Sequence, residues 1–110
     1  MAYNAAQIDF GQAGGAYLNT TNAYTPPTGK VIAYIEVVAA DTTFNTLTPS
    51  NDTGSNTYHL GTTVVAAATG NGANAVALSS ENFTVGQKFY GRWSAVTLTD
   101  GAIIMYFAQA

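Results

Sequence analysis

The chain has 110 residues, a net charge of −3 at neutral pH, and 47% apolar but only 8% charged residues. The length suits one domain with one core, and the chain lacks the high net charge and low hydrophobicity of a disordered segment. Three basic residues are too few to neutralise a run of phosphates, so neither nucleic acid nor an anionic membrane surface is an expected partner; with no cysteine, disulfides and thiolate metal sites are excluded.

Met1 to Asn22 has weak periodicity and is interrupted by Gly11, Gly14 and Gly15. It reads as an N-terminal arm, residues 1–22, with one short strand around Gln7 to Phe10, preceding a single β domain over residues 23–110. Without a core pattern of its own, the arm is expected to lie across a neighbouring subunit or a larger shell. Met1-Ala2-Tyr3-Asn4 shows no basic stretch leading into an apolar one, so no secretory signal is expected. Thr25-Pro26-Pro27-Thr28-Gly29 forbids regular structure and sets a boundary.

Lys30 to Ala39 is a clear strand. Alternation places Val31, Ala33, Ile35 and Val37 on one face, and Ile32, Tyr34, Glu36 and Val38 on the other. Glu36 among apolar neighbours implies that its face is open to water or to a partner. Thr42 to Thr48 is a second β-rich run, stopped by Pro49, and Pro49 to Asn56 is a polar loop. Thr57 to Ala68 reads as a strand with a turn at Gly61, Gly70-Asn71-Gly72 as a tight turn, Ala73 to Ser79 as a thin strand, and Glu81 to Lys88 as a loop containing Gly86.

At the C-terminus, Asp100-Gly101 matches a two-residue type I′ turn. That turn predicts a hairpin pairing Thr99 with Ala102, Leu98 with Ile103, Val96 with Met105 and Ser94 with Phe107. Leu98, Ile103, Val96, Met105 and Phe107 then share the core face, while Ala95, Thr97, Thr99, Ile104 and Tyr106 share the other. Short strands separated by frequent turns predict an all-β fold, a small antiparallel β-sandwich or barrel.

No catalytic motif survives its context. Asp52-Thr53-Gly54 carries the triplet of aspartic proteases, where two carboxylates share a proton, but polar turn formers surround it. Gly70 to Ala75 matches only half of a dinucleotide fingerprint. The Asn51 to Asn56 loop offers one carboxylate, too little for firm Ca²⁺ binding. His59 is the single histidine, so no His-based metal cluster forms. Asn19, Asn51 and Asn82 open Asn-x-Ser/Thr triplets, which count as chance matches when no secretory signal precedes them. The reading is a non-enzyme without cofactor or metal. Seven Tyr, five Phe and Trp93 supply core and interface residues, and an exposed aromatic strip among them would also suit stacking on sugar rings.

The sparse charge shapes the surface. A folded monomer of 11.4 kDa exposes roughly 5,800 Å², so nine formal charges leave about one per 640 Å². Such a neutral surface packs readily against its neighbours. Three segments carry a resemblance: Thr25 to Tyr34 (TPPTGKVIAY), Asp41 to Pro49 (DTTFNTLTP) and Phe89 to Phe107 (FYGRWSAVTLTDGAIIMYF). They resemble small virion structural proteins of tailed bacteriophages. Tyr90, Gly91, Arg92 and Trp93 match the closing motif, followed by the Asp100-Gly101 hairpin; Asp41, Phe44, Leu47 and Thr48 match the middle motif.

The resemblance implies a structural virion protein, foremost a capsid decoration or cement protein bound to the major capsid protein on the head surface. Such a protein is made in the host cytoplasm and associates with itself, a trimer being the number the resemblance suggests. The alternative is a carbohydrate- or receptor-binding tail fibre component. The named motif residues are read as structural. Arg92 beside Trp93 is expected to make a cation–π or backbone-carbonyl contact that holds a turn at Gly91.

Overall fold

A computed structural model describes residues 12–50, 60–62, 77–79 and 81–110. Their strands are β1 (Gly15–Leu18), β2 (Lys30–Val37), β3 (Thr43–Pro49), β4 (Lys88–Asp100) and β5 (Ile103–Gln109). They form one antiparallel sheet in the order β1-β5-β2-β4-β3, with no helix among the described residues. The all-β antiparallel class is the one the turn spacing predicts.

β2 lies inside the sheet, paired with β5 on one side and β4 on the other. Its sequence, KVIAYIEV, explains that place, because a strand paired on both sides and buried along most of its length must be apolar nearly throughout. Strict alternation fails at one point. Ile32 and Tyr34 pair with the consecutive β5 residues Phe107 and Tyr106, so Ala33 is an extra residue. A bulge of this kind shifts every side chain beyond it to the opposite face. Ile32 therefore joins Ile35 and Val37 in the main core, while Val31, Ala33 and Tyr34 pack on the other side with Ala108.

β4 closes the fold. From Lys88 to Trp93 it pairs with β2; from Trp93 to Asp100 it pairs with β3. Phe44 of β3 is the partner of Leu98, yet its ring lies 6.1 Å from that of Phe89. In a straight strand Phe89 and Leu98 would stand about 30 Å apart. β4 must therefore bend over the core, so that its two halves belong to two leaves of the sheet. The bend coincides with register slips against both partners, between Ile32 and Tyr34 of β2 and between Thr48 and Pro49 of β3. Inside the bend pack Trp93, Phe44, Leu47, Val96, Leu98, Ile103 and Met105, all essentially inaccessible to water.

The predicted hairpin is corrected. β4 and β5 follow one another at Asp100-Gly101 but do not pair, because β2 lies between them in the sheet. Leu98 faces Phe44 and Val96 faces Leu47, while Ile103 and Met105 face Val37 and Ile35. Only Gly101 has positive φ, at 94°, whereas a type I′ turn requires it at both central positions. Thr42, with no exposed surface, fills the corner instead. Its hydroxyl accepts the Ala102 N–H at 3.2 Å and donates to Ala39 O at 2.8 Å. The division of faces does hold, since Leu98, Val96, Ile103, Met105 and Phe107 all belong to the main core.

The stretch read as an arm contains β1, which pairs with β5 and sends Leu18 into the main core. Among the described residues the first strand of the sheet thus lies within residues 1–22. Tyr24 bridges Val96 of β4 and stacks on Phe107. The Gln7 to Phe10 strand, the Asn51 to Asn56 loop with Asp52-Thr53-Gly54, His59 and the Gly70-Asn71-Gly72 turn all lie outside the described residues. So does most of the Thr57 to Ala68 and Ala73 to Ser79 runs.

Candidate functional site: a tyrosine face on the outer sheet

The outer surface of β1, β5, β2 and β4 is built from two rows of residues fixed by strand register. One row runs Gly15, Tyr106, Tyr34, Tyr90; the next runs Tyr17, Ile104, Glu36, Lys88. Three tyrosines on adjacent strands thus stand directly opposite one another, the geometry in which cross-strand side chains interact most. Ring centroids are 5.0 Å apart for Tyr34 and Tyr90, and 5.6 Å apart for Tyr34 and Tyr106.

The middle ring is closed in. Tyr34 is only 7% exposed, while Tyr90 is 65% and Tyr17 61% exposed. At the end of the row Gly15 has no side chain. A Cβ there would lie 2.8 Å from a ring carbon of Tyr106, so the glycine lets that ring lie across β1.

Polar groups on the face are few. The Tyr34 hydroxyl donates to Glu36 Oε1 at 2.8 Å. Burial pushes the Tyr34 phenol well above its ordinary value, and the bond and negative charge of Glu36 push the same way. Lys88 stands opposite Glu36 in register, but its ammonium donates to Gly86 O at 3.3 Å. The carboxylate and the ammonium are therefore neighbours on the face without being bonded to each other.

The motif residues singled out in the sequence divide sharply. Tyr90 joins this face. Trp93 has no exposed surface, and its indole Nε1 donates to Leu60 O at 2.8 Å, so it leaves the exposed aromatic strip and serves the core. Gly91 lies within β4 rather than in a turn, and a Cβ there would come 2.6 Å from the Trp93 ring. Arg92 contributes its carbonyl, which accepts the Ser50 N–H at 2.8 Å, and no cation–π contact with Trp93 is present among the described residues. Asp41 has φ of 59°, in the left-handed region that Asp tolerates better than most residues. Phe44 packs with Phe83 and Phe89 in the core, and Asp100 Oδ1 accepts the Gly101 N–H at 2.9 Å.

Sequence reasoning marked the face of Glu36 as open to water or to a partner and set Ile104 and Tyr106 on the non-core face. What it missed was the row, because which tyrosines face one another depends on pairing between strands distant in sequence. Among the described residues no group of three His, Cys, Asp or Glu could hold a metal ion, and no helix is long and apolar enough to cross a membrane. No family model, curated protein or solved structure matches the chain.

Proposed function

We propose that this chain is a structural protein of a tailed-phage particle, of the capsid decoration or cement kind, acting by contact and not by catalysis. The observation that carries this reading is the outer sheet face: an aromatic row with Glu36 and Lys88 beside it, on a chain with 8% charged residues. Tyrosine is enriched where proteins meet, and charge is depleted at the centre of such contacts. The motif resemblance supplies the particle context, with the major capsid protein as partner and the capsid surface as location.

Mass spectrometry of purified particles made by the genome encoding the chain tests the reading. The protein should appear in stoichiometric amounts, and added protein should bind stripped heads saturably. Absence from the particle sinks the proposal. The exposed rings of Tyr17 and Tyr90 favour a second reading, a carbohydrate- or receptor-binding component of a tail fibre. A glycan array that returns a saturable ligand would move the assignment there.

A further inference from the structure

We infer that the tyrosine face is where two copies of this chain meet, across a two-fold axis that sets Glu36 of each copy against Lys88 of the other. The inference rests on the proposed function only in taking this face to be a protein contact.

The composition of the face argues for a self-contact. The chain has three basic residues, Lys30, Lys88 and Arg92. Lys30 turns its ammonium to Ala13 O at 2.6 Å. Lys88 is instead placed on an aromatic surface beside a carboxylate that it does not bond. An adjacent acid and base on an aromatic patch are complementary to the same pair on another copy. Because Glu36 and Lys88 are register partners on neighbouring strands, a two-fold axis lying in the contact and running between β2 and β4 exchanges their positions. It likewise sets Tyr34 over Tyr90, the other register pair of these strands. Contacts of this isologous kind are the commonest in soluble oligomers. The expected assembly is thus a dimer, in place of the trimer that the resemblance suggests.

The arrangement of the rings disfavours a small ligand. Sites for small molecules are concave and bury most of the ligand. Here Tyr34 is already packed against both Tyr90 and Tyr106, with centroids at 5.0 and 5.6 Å. A sheet face whose rings already pack on one another is suited to another such face.

The test is sedimentation equilibrium on the whole chain and four variants: Glu36→Lys, Lys88→Glu, the double exchange, and Tyr90→Ser. The wild type should be a dimer. Each single reversal should weaken association by about tenfold or more, since it opposes like charges across the contact, and the double exchange should restore it. Tyr90→Ser should weaken it comparably. Lys88 and Tyr90 are exposed in the monomer, so their variants decide the matter even if Glu36→Lys fails to fold. A monomeric wild type, unchanged association in Lys88→Glu and Tyr90→Ser, or a folded double exchange that fails to recover would each overturn the inference. So would neutral sugars that shift the Tyr90 ring resonances of a wild type that stays monomeric. Head binding is read separately. A Lys88→Glu monomer that still binds heads leaves the particle role intact without the dimer requirement, whereas a dimer that binds no heads leaves the self-contact intact and removes the particle role.

Discussion

Thr42 and Gly101 show how single residues can decide a connection. The Thr42 hydroxyl occupies the corner between β4 and β5, and its side chain takes the space that a Cβ on Gly101 would fill. Gly101 also has φ of 94°, where an L side chain is strained. Gly86 has the same φ, but a Cβ there would meet nothing within 4 Å. Gly86→Ala should therefore cost about 1–2 kcal/mol from backbone conformation alone. Gly101→Ala should cost that and about 1–3 kcal/mol more from overpacking. Urea unfolding of the two variants measures the difference, and equal losses would show that the corner relaxes around the new methyl.

Tyr34 makes the second argument at this scale. Its phenol ionises at higher pH in the folded chain than the ordinary value near 10, because the ring is buried and its hydroxyl is bonded to Glu36. Above about pH 10 the unfolded chain therefore loses this proton while the folded chain keeps it. The folded state then holds more protons, so stability falls as pH rises there; below about pH 10 the contribution is fully present. Tyr34→Phe should reduce this alkaline decline, apart from the smaller part due to Tyr24, which burial also raises. Thermal unfolding from pH 8 to 11 reads the effect, and an unchanged alkaline slope in the variant would contradict it.

At the scale of elements, β1 and β4 matter most. β1 is four residues long, yet it pairs along β5, carries Leu18 into the core and lies beneath the Tyr106 ring. A chain beginning at Asn19 would lose the burial of Leu18 and expose the edge of β5. Loss of one buried large aliphatic side chain alone costs about 2–5 kcal/mol. The shortened chain should unfold at a distinctly lower denaturant midpoint; an unchanged midpoint would return the segment to the role of a detachable arm. In β4 the strand must serve two partners, and a bend is possible where register slips and where Gly91 leaves room for the Trp93 ring. That combination explains the Tyr90-Gly91-Arg92-Trp93 motif structurally: a ring for the surface, a gap, a carbonyl for Ser50, and a ring for the core.

Across the whole molecule, the scarcity of charge controls behaviour in solution. Contacts between copies are expected to be dominated by apolar burial and neutral hydrogen bonds, with the Glu36 and Lys88 pairs a minor part. Exposed ion pairs are screened within about 8–10 Å at 0.1–0.15 M salt, but burial is not. Self-association should therefore change little between low and physiological salt, by less than about tenfold. Light scattering across that range checks this, and an oligomer that dissolves on modest addition of salt would show that charge governs the contact after all.

The sequence by itself determined the β class, an apolar strand read as Lys30 to Ala39 and observed as Lys30–Val37, and the core face of Val96, Leu98, Ile103, Met105 and Phe107. These follow from alternation along one strand, a local property that survives whichever strand lies alongside. Only the tertiary structure decided the partners. It placed β2 between β4 and β5, turned an apparent hairpin into a corner, drew Gly15 to Leu18 into the sheet and aligned Tyr106, Tyr34 and Tyr90. Pairing depends on which exposed backbone edges and apolar faces cover each other most fully, a competition among segments tens of residues apart. Asp100-Gly101 offered a good local turn, but the buried Thr42 fills that corner, and β2 takes the hydrogen-bonding edges of both β4 and β5.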